Sequence, residues 1–304
     1  VVDVSLRQST RAATAGDYVS LLKPRVMSLV VFTGLVGYIA APGQGDLVLG
    51  FAAILSIAIA AGASGALNMW FDSDIDAVMT RTRARPIPSG RVHRDEALML
   101  GLMLSALSVV TMQLAAGPLA AGLLAFTIFF YAVVYTMWLK RWTSQNIVIG
   151  GLSGALPPAI AWAAKTGAVS LDAWLMVAII FMWTPPHFWA LSLLQKADYA
   201  AAKVPMLPVT DGAKATRMQI FIYTLLLAPL GLAPLFTGLG GIVSAGVAAL
   251  GGALFVFLAW RVLQSRAGEG DSHEDKHARA LFGFSIIYLF ALFGALLVDQ
   301  GLAL

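Results

Sequence analysis

The chain has 304 residues, 59% of them hydrophobic and 12% charged, with a net charge of +4 and a mean hydropathy of +0.81. A soluble domain carries about twice that share of charge. With no cysteine, the chain excludes disulfides, thiolate metal sites and cysteine nucleophiles.

Charge-free runs occupy 26–45, 47–71, 97–139, 142–164, 173–195, 218–260 and 280–298. About 20 helical residues cross a bilayer core. Five runs therefore fit one span each. The two runs of 43 residues fit two each, with turn-like breaks at Ala115-Ala116-Gly117-Pro118 and Thr237-Gly238-Leu239-Gly240-Gly241. The expected fold is an all-α integral membrane protein, a single polytopic domain over 1–304 with nine transmembrane helices around a central cavity. The helices are expected at about 22–43, 47–71, 97–115, 118–139, 143–164, 172–195, 217–237, 241–263 and 279–299. Alternating barrel segments of about ten residues are absent.

Residues 1–22 are polar and carry no cleavable signal pattern, and Arg7 and Arg11 are too few to argue for a transit peptide. With nine spans, the N-terminus and the connections 72–96, 139–145, 196–217 and 261–279 share one side. That side holds 19 of the 20 Lys and Arg residues, and Lys165 alone faces the other. Positive-inside bias then predicts a cytoplasmic N-terminus and an external C-terminus. The basic balance reflects topology, so no nucleic-acid partner is expected.

Helix 2, a polar loop and a double span recur as helix 6, a second polar loop and another double span, at an offset of about 121–126 residues. The layout suggests a parallel repeat of helices 2–5 and 6–9, with helix 1 extra and a site between the halves. Chance equality of helix lengths is the competing reading. Under the repeat, helices 2 and 6 end facing each other, and loops 72–96 and 196–217 cap the cavity. Loops of that length are usually functional or disordered.

Helix 2 leaves through Asn68-Met69-Trp70-Phe71-Asp72-Ser73-Asp74-Ile75-Asp76. Asn68, Asp72 and Asp76 lie four apart, so a helix sets them on one face over about 12 Å. Asp74 points elsewhere. Stacked carboxylates repel, and a bound cation or the following arginines, Arg81, Arg83, Arg85, Arg91 and Arg94, would offset that. Carboxylates beside guanidinium groups suit an anion carrying a metal, such as a diphosphate with Mg²⁺. The bland alternative is that the arginines fix topology and the aspartates balance them. The second loop adds Lys196, Asp198, Lys203, Asp211, Lys214 and Arg217. Asp198 matches Asp72 in the repeat and would complete a carboxylate set, unless it merely pairs with Lys196 or Lys203.

His187 lies about 12 Å inside a helix end, where ionisable groups are functional candidates by default. It reads either as a ligand or substrate contact or as a packed histidine behind Pro185-Pro186, which are expected to kink helix 6. Tyr135 and Asn146 are expected to face the cavity. Pro157-Pro158 reads as a kink. Trp70, Trp138, Trp142 and Trp260 fit an interfacial aromatic belt. His93, His273 and His277 are expected in solvated loops.

The spacing Asn68/Asp72/Asp76 at the end of the second of nine helices resembles the first motif of the UbiA superfamily of intramembrane prenyltransferases. Further stretches are similar to its haem-farnesylating branch. They are Lys23-Pro24-Arg25, the run from Arg81 to Arg91, Tyr135-Thr136-Met137-Trp138-Leu139-Lys140-Arg141 and the Gly-rich run from Asn146 to Pro158. Trp183-Thr184-Pro185-Pro186-His187-Phe188-Trp189, Asp198-Tyr199 and Val204-Pro205-Met206-Leu207-Pro208 complete the set. The resemblance covers residues 18–295. It implies that farnesyl diphosphate ionises, that a vinyl group of haem B attacks the allylic carbon, and that water completes the side chain, giving haem O. It implies Mg²⁺ held by Asn68, Asp72, Asp76 and Asp198. Diphosphate contacts would come from Lys23, Arg25, Arg81, Arg83, Arg85, Lys140, Arg141 and Lys203, and acceptor contacts from His187, Tyr135, Asn146 and Trp183. The short N-terminus leans toward a bacterial cytoplasmic (inner) membrane over a mitochondrial one, and a haem A synthase or oxidase assembly proteins are the expected contacts. The chain departs from the superfamily's second Asp-x-x-x-Asp, because Ala202 stands four residues after Asp198. The alternatives are a hydroxybenzoate or quinone-precursor prenyltransferase of the same superfamily, a transporter with an acidic ion site, and a phospholipid-head transferase. Against the transporter, no carboxylate lies at mid-membrane. Against the last, no Asp-Gly-x-x-Ala-Arg stretch is present.

Overall fold

A computed structural model describes residues 13–270 and 275–302, so Arg7, Arg11 and His273 lie outside the described residues. Every regular element among the described residues is helical. In chain order these are α1 (Ala15–Leu21), α2 (Pro24–Ala40), α3 (Leu47–Phe71), α4 (Ser73–Val78), α5 (Arg94–Ala116) and α6 (Pro118–Phe129). A π-helical stretch (Phe130–Leu139) runs from α6 into α7 (Lys140–Trp142). Then follow α8 (Asn146–Ala155), α9 (Pro157–Thr166), α10 (Leu171–Leu194), α11 (Lys196–Ala201), α12 (Leu207–Thr210), α13 (Gly212–Leu230), α14 (Ala233–Thr237), α15 (Ile242–Gln264) and α16 (Asp275–Leu302). Among the described residues eight helices are long and apolar enough to cross a membrane, or nine if the bent pair α1 and α2 counts as one span.

Local chemistry explains several boundaries. Asp46 caps α3 by accepting from the Val48 and Leu49 amides at 2.8 and 2.9 Å, satisfying donors that have no partner in the first turn. Gly117, at φ +81°, turns the chain between α5 and α6, and Pro118 opens the next helix. α1 and α2 meet at 53°. The bend falls at Lys23, whose φ of +54° is left-handed, immediately before Pro24. Pro157 divides the fifth span into α8 and α9. Pro185 and Pro186, by contrast, lie within the continuous α10. His277 sits in the first turn of α16 rather than in a loop, because the amphipathic start of that helix extends the apolar run by one turn.

Neighbour relations fall into two rings of four spans. In one, α3 packs on α5, α5 on α6, the π-helical stretch on α8, and α9 back on α3. In the other, α10 packs on α13, α13 on α15, α15 on α16, and α16 back on α10. α8 joins α10 across one seam. At the other seam α2 packs on α9, α3 and α16. Gly37 lets α2 approach so closely that a Cβ there would collide with the backbone of Pro158. Large apolar side chains such as Leu47, Phe51, Leu102, Met103, Leu114, Leu226, Leu250 and Ile287 remain exposed, as an apolar solvent around the bundle permits.

The positively charged connections gather at one end. Arg91 bonds Asp17, Lys23 bonds Asn68, and Arg141 bonds Asp74. The Arg81 amide reaches Asp198, and Arg217 reaches the Ala267 carbonyl. Both long loops pack into buried clusters there. Ile75 and Met79 from the first share a buried cluster with Tyr199, Val204 and Met206 from the second, together with Ile147. A second cluster folds Ile87 and Val92 onto Leu21, Ala66 and Met69.

Candidate active site

The ladder forms where α3 gives way to α4. The helical bonding path continues through the break, with the Asp72 amide donating to the Asn68 carbonyl at 2.9 Å and the Asp76 amide to the Asp72 carbonyl at 2.8 Å. Asn68, Asp72 and Asp76 therefore keep one face, and all three are buried. The Asn68 amide donates to Asp72 Oδ2 at 2.7 Å and to Thr136 Oγ1 at 3.1 Å.

Each ladder residue has a cationic side chain from another segment. Lys23 Nζ donates to Asn68 Oδ1 at 2.5 Å. Lys140 donates to Asp72 Oδ2. Arg85 holds Asp76 Oδ2 at 2.7 Å. Arg141 clasps Asp74 with two bonds of 2.9 and 2.8 Å and stands 3.8 Å from Asp72 Oδ1. Burial works to raise the Asp74 carboxyl pKa, but the Arg141 guanidinium and the Ile75 amide hold it below the ordinary carboxylate value.

Asp72 Oδ1 is buried and has no hydrogen-bond partner. A buried carboxylate oxygen so placed is costly unless something else satisfies it. A hard divalent cation suits it, since Mg²⁺ takes one or two carboxylates and fills its remaining positions with phosphate oxygens and water. The residues thus fit such an ion. Among the described residues no three Asp, Glu or His side chains gather as a ready-made metal cage. Asp72, Asp76 and Asp198 are accordingly not drawn to one point, because each is held by its own partner. Asp198 Oδ2 accepts from the Arg81 amide at 3.3 Å and is not paired with Lys196, which reaches the Gly268 carbonyl. Burial works to raise the Asp198 pKa, but the Arg81 and Thr80 donors together hold it below the ordinary carboxylate value.

The basic residues divide by role. Arg91 is spent on Asp17 and the Ala84 carbonyl, and Arg94 on the Trp70 carbonyl and ring. Arg25, Arg81, Arg83 and Lys203 are exposed, and no described residue bonds their charged groups. Lys203, like Lys23, has a left-handed backbone at φ +54°.

The acceptor candidates form two groups. Tyr135 lies on the π-helical stretch with its ring against Gly150 and 5.4 Å from the Tyr131 ring. Asn146 is fully buried, donates to the Thr143 carbonyl at 2.6 Å, and leaves its Oδ1 unpartnered. Trp183 and His187 are buried between α10 and α16. His187 stacks on Trp183 at 4.3 Å and on Phe282 at 4.7 Å, and its Nδ1 lies 2.7 Å from Ser285 Oγ. Neither His187 nor Trp183 touches the ladder directly.

Thr136, Tyr131 and Ser285 escape sequence reasoning. In the π-helical stretch the Thr136 hydroxyl bonds the Tyr131 carbonyl five residues back, at 2.8 Å. Such segments cluster at functional sites, but their hydrophobic pattern looks like any apolar helix. His93 is exposed, as expected, and also caps α5 together with Glu96.

Residues 30–286 match the UbiA prenyltransferase family. Protoheme IX farnesyltransferase of Caulobacter vibrioides is 60% identical, over 96% of this chain and 93% of the relative. Its counterpart in Hyphomonas neptunium is 58% identical, over 97% and 94%. Among solved structures, one described under digeranylgeranylglyceryl phosphate synthase superposes with a TM-score of 0.76 at 17% identity, covering 94% of this chain and 98% of that one. A UbiA homolog from Archaeoglobus fulgidus bound to GPP and Mg²⁺ gives 0.70 at 16% identity, covering 91% and 99%. The superpositions establish the fold, and the relatives set aside the transporter and the phospholipid-head transferase. With a family match over most of its length and near-full-length relatives at 58–60% identity, the chain belongs to the UbiA prenyltransferase family, in its protoheme IX farnesyltransferase branch, and is an intramembrane prenyltransferase.

Proposed function

We propose that this chain transfers the farnesyl group of farnesyl diphosphate to a vinyl group of haem B, giving haem O, at the cytoplasmic face of a bacterial inner membrane. One observation carries the diphosphate half of the reading. A buried oxygen of Asp72 makes no hydrogen bond and stands 3.8 Å from Arg141, while Lys140 holds the other oxygen and Arg85 holds Asp76, which is the chemistry of a metal–diphosphate seat. Branch membership supports the acceptor. Asn68, Asp72, Asp76 and Asp198 would hold Mg²⁺, which when bound supplies positive charge to the diphosphate oxygens.

Lys23, Lys140, Arg85 and Arg141 orient the diphosphate, with Arg25, Arg81, Arg83 and Lys203 at its outer edge. They stabilise the negative charge that grows on the leaving oxygen as the allylic C–O bond breaks. The apolar interior takes the isoprenoid tail and keeps water from the allylic cation. The terminal vinyl carbon forms the new C–C bond, and the resulting benzylic-type cation on the porphyrin is captured by water, which loses a proton. His187, Trp183, Tyr135 and Asn146 position the porphyrin.

Purified protein in detergent, given Mg²⁺, farnesyl diphosphate and haem B, should yield haem O by mass spectrometry. No haem O, but prenylation of an aromatic acid such as hydroxybenzoate, would replace this reading by the aromatic prenyltransferase. Asp72→Ala and Asp76→Ala should each abolish turnover while the helical spectrum is kept. Near-normal turnover removes that residue from the site.

A further inference from the structure

Ser285, fully buried on α16, joins α10 at two points. Its carbonyl accepts the Trp183 indole N–H at 2.7 Å. Its hydroxyl lies 2.7 Å from His187 Nδ1 and donates to the Phe282 carbonyl at 2.6 Å.

A serine hydroxyl has one proton to give. With that proton on the Phe282 carbonyl, the oxygen meets His187 with lone pairs alone, so Nδ1 must carry the hydrogen. The opposite assignment would turn the hydroxyl proton to Nδ1. It would leave two oxygens 2.6 Å apart with no hydrogen between them. A neutral imidazole carries a single N–H, so Nε2 is left as a lone-pair donor. No described residue bonds Nε2. The ring cannot turn over to exchange its nitrogens, because Trp183 and Phe282 cover its two faces at 18° and 23° from parallel. The edge of Phe188 closes a third side at 5.2 Å.

We propose that Ser285 is a positioning residue for the acceptor site: it fixes His187 as the Nδ1–H tautomer and presents Nε2 to the iron of the porphyrin substrate. The inference rests on the reading that the acceptor is an iron porphyrin. It adds which nitrogen binds and what aims it. Histidine ligands to metals characteristically donate their other ring N–H to an oxygen acceptor, and losing that acceptor costs about 10–100-fold in metal affinity. Trp183, held by the carbonyl of the same serine, fixes the plane of the ring.

The test uses the full chain in detergent, titrated in parallel with haem B and with iron-free protoporphyrin IX. Wild type should give a nitrogen-ligated haem spectrum that His187→Ala removes and added imidazole restores. Ser285→Ala should bind haem B about 10–100-fold more weakly, with a shifted spectrum, and should bind iron-free porphyrin as wild type does. Ser285→Thr, which keeps a hydroxyl, should recover the haem affinity. Equal weakening toward both porphyrins would make Ser285 a packing residue and overturn the proposal, as would unchanged haem affinity in Ser285→Ala. Nitrogen NMR of isotopically labelled histidine in the haem-free protein gives a second reading, and a proton on Nε2 of His187 would also overturn it. Haem O formation by wild type with an unaltered Ser285→Ala spectrum would refute this inference alone. A wild type that neither binds nor prenylates haem would refute the function itself.

Discussion

Replacing Lys140 with methionine separates the two tasks assigned to that side chain. Asp72 is fully buried and the Lys140 side chain retains 15% exposure, so the pair is almost entirely withdrawn from water. Breaking a buried ion pair by deleting one partner costs about 3–5 kcal/mol, because the other charge is stranded. Here the loss is partial. The Asn68 amide still donates to Asp72 Oδ2 at 2.7 Å, and Arg141 stands 3.8 Å from Oδ1. About 2–3 kcal/mol is the expected destabilisation, on the order of 30–150-fold in the folding equilibrium. The assay is the apparent melting temperature in detergent at a fixed scan rate, since membrane proteins of this size often unfold irreversibly. Lys140→Met should melt several degrees lower. Added Mg²⁺ without diphosphate should raise the variant's melting temperature, because the vacated carboxylate can take the ion, and should move wild type much less. Lys140→Met combined with Asp72→Asn should regain most of the lost stability, because the stranded charge is gone. A single variant that melts with wild type, or a double variant no better than the single, would refute the counter-ion role of Lys140.

Three further outcomes follow from particular contacts. Gly37→Ala places a methyl against the backbone of Pro158, so it should cost about 1–3 kcal/mol by overpacking, whereas Gly122→Ala, which meets nothing within 4 Å, should melt as wild type. Thr136→Val removes the acceptor of the Asn68 amide at nearly constant volume; it should lower stability by about 1 kcal/mol and reduce turnover, with Thr136→Ser close to wild type. Asp74 has its carboxyl held below the ordinary value in the folded state, so its clasp with Arg141 stabilises fully above pH about 4 and is lost as pH falls below that. Melting temperatures of wild type and Asp74→Asn should therefore differ near neutrality and converge in acid, and a gap that persists in acid would refute the clasp.

The spans and the ladder were legible because each depends on local pattern. Charge-free runs mark helices wherever the chain is surrounded by lipid, and a spacing of four fixes a shared helical face whatever lies opposite. The counter-ions were only half legible. Arg85 follows the ladder closely in sequence, but Lys23 and Lys140 reach it from segments 45 and 68 residues away, and no local rule pairs them. The bend at Lys23 depends on a left-handed backbone at a non-glycine residue, for which the residue type gives no signal. Ser285 looks in sequence like Ser105 or Ser108, each of which bonds a carbonyl of its own helix. What sets it apart is the histidine on a neighbouring helix. Asp198 was reached by the repeat, yet its bond to the Arg81 amide came from loop packing that the repeat does not specify.

The charge layout explains why the ladder tolerates burial before any ligand arrives. Lys140, Arg85 and Arg141 match the carboxylates of Asp72, Asp76 and Asp74, and Lys23 sits on Asn68. The inner shell is thus close to neutral, which avoids the cost of isolated charges in a low-dielectric interior. Arg81 and Arg83 lie outside it, exposed and without side-chain partners among the described residues, so the surplus charge there is positive. On the proposed function, an anion would be drawn to that edge first, and the inner lysine and arginine would pass from carboxylate to phosphate as a cation takes their place on Asp72. Metal and diphosphate are then expected to bind with positive coupling, each strengthening the other by the same factor. Measuring Mg²⁺ affinity with and without inorganic diphosphate tests that coupling directly, and equal affinities would show that the inner cations do not move.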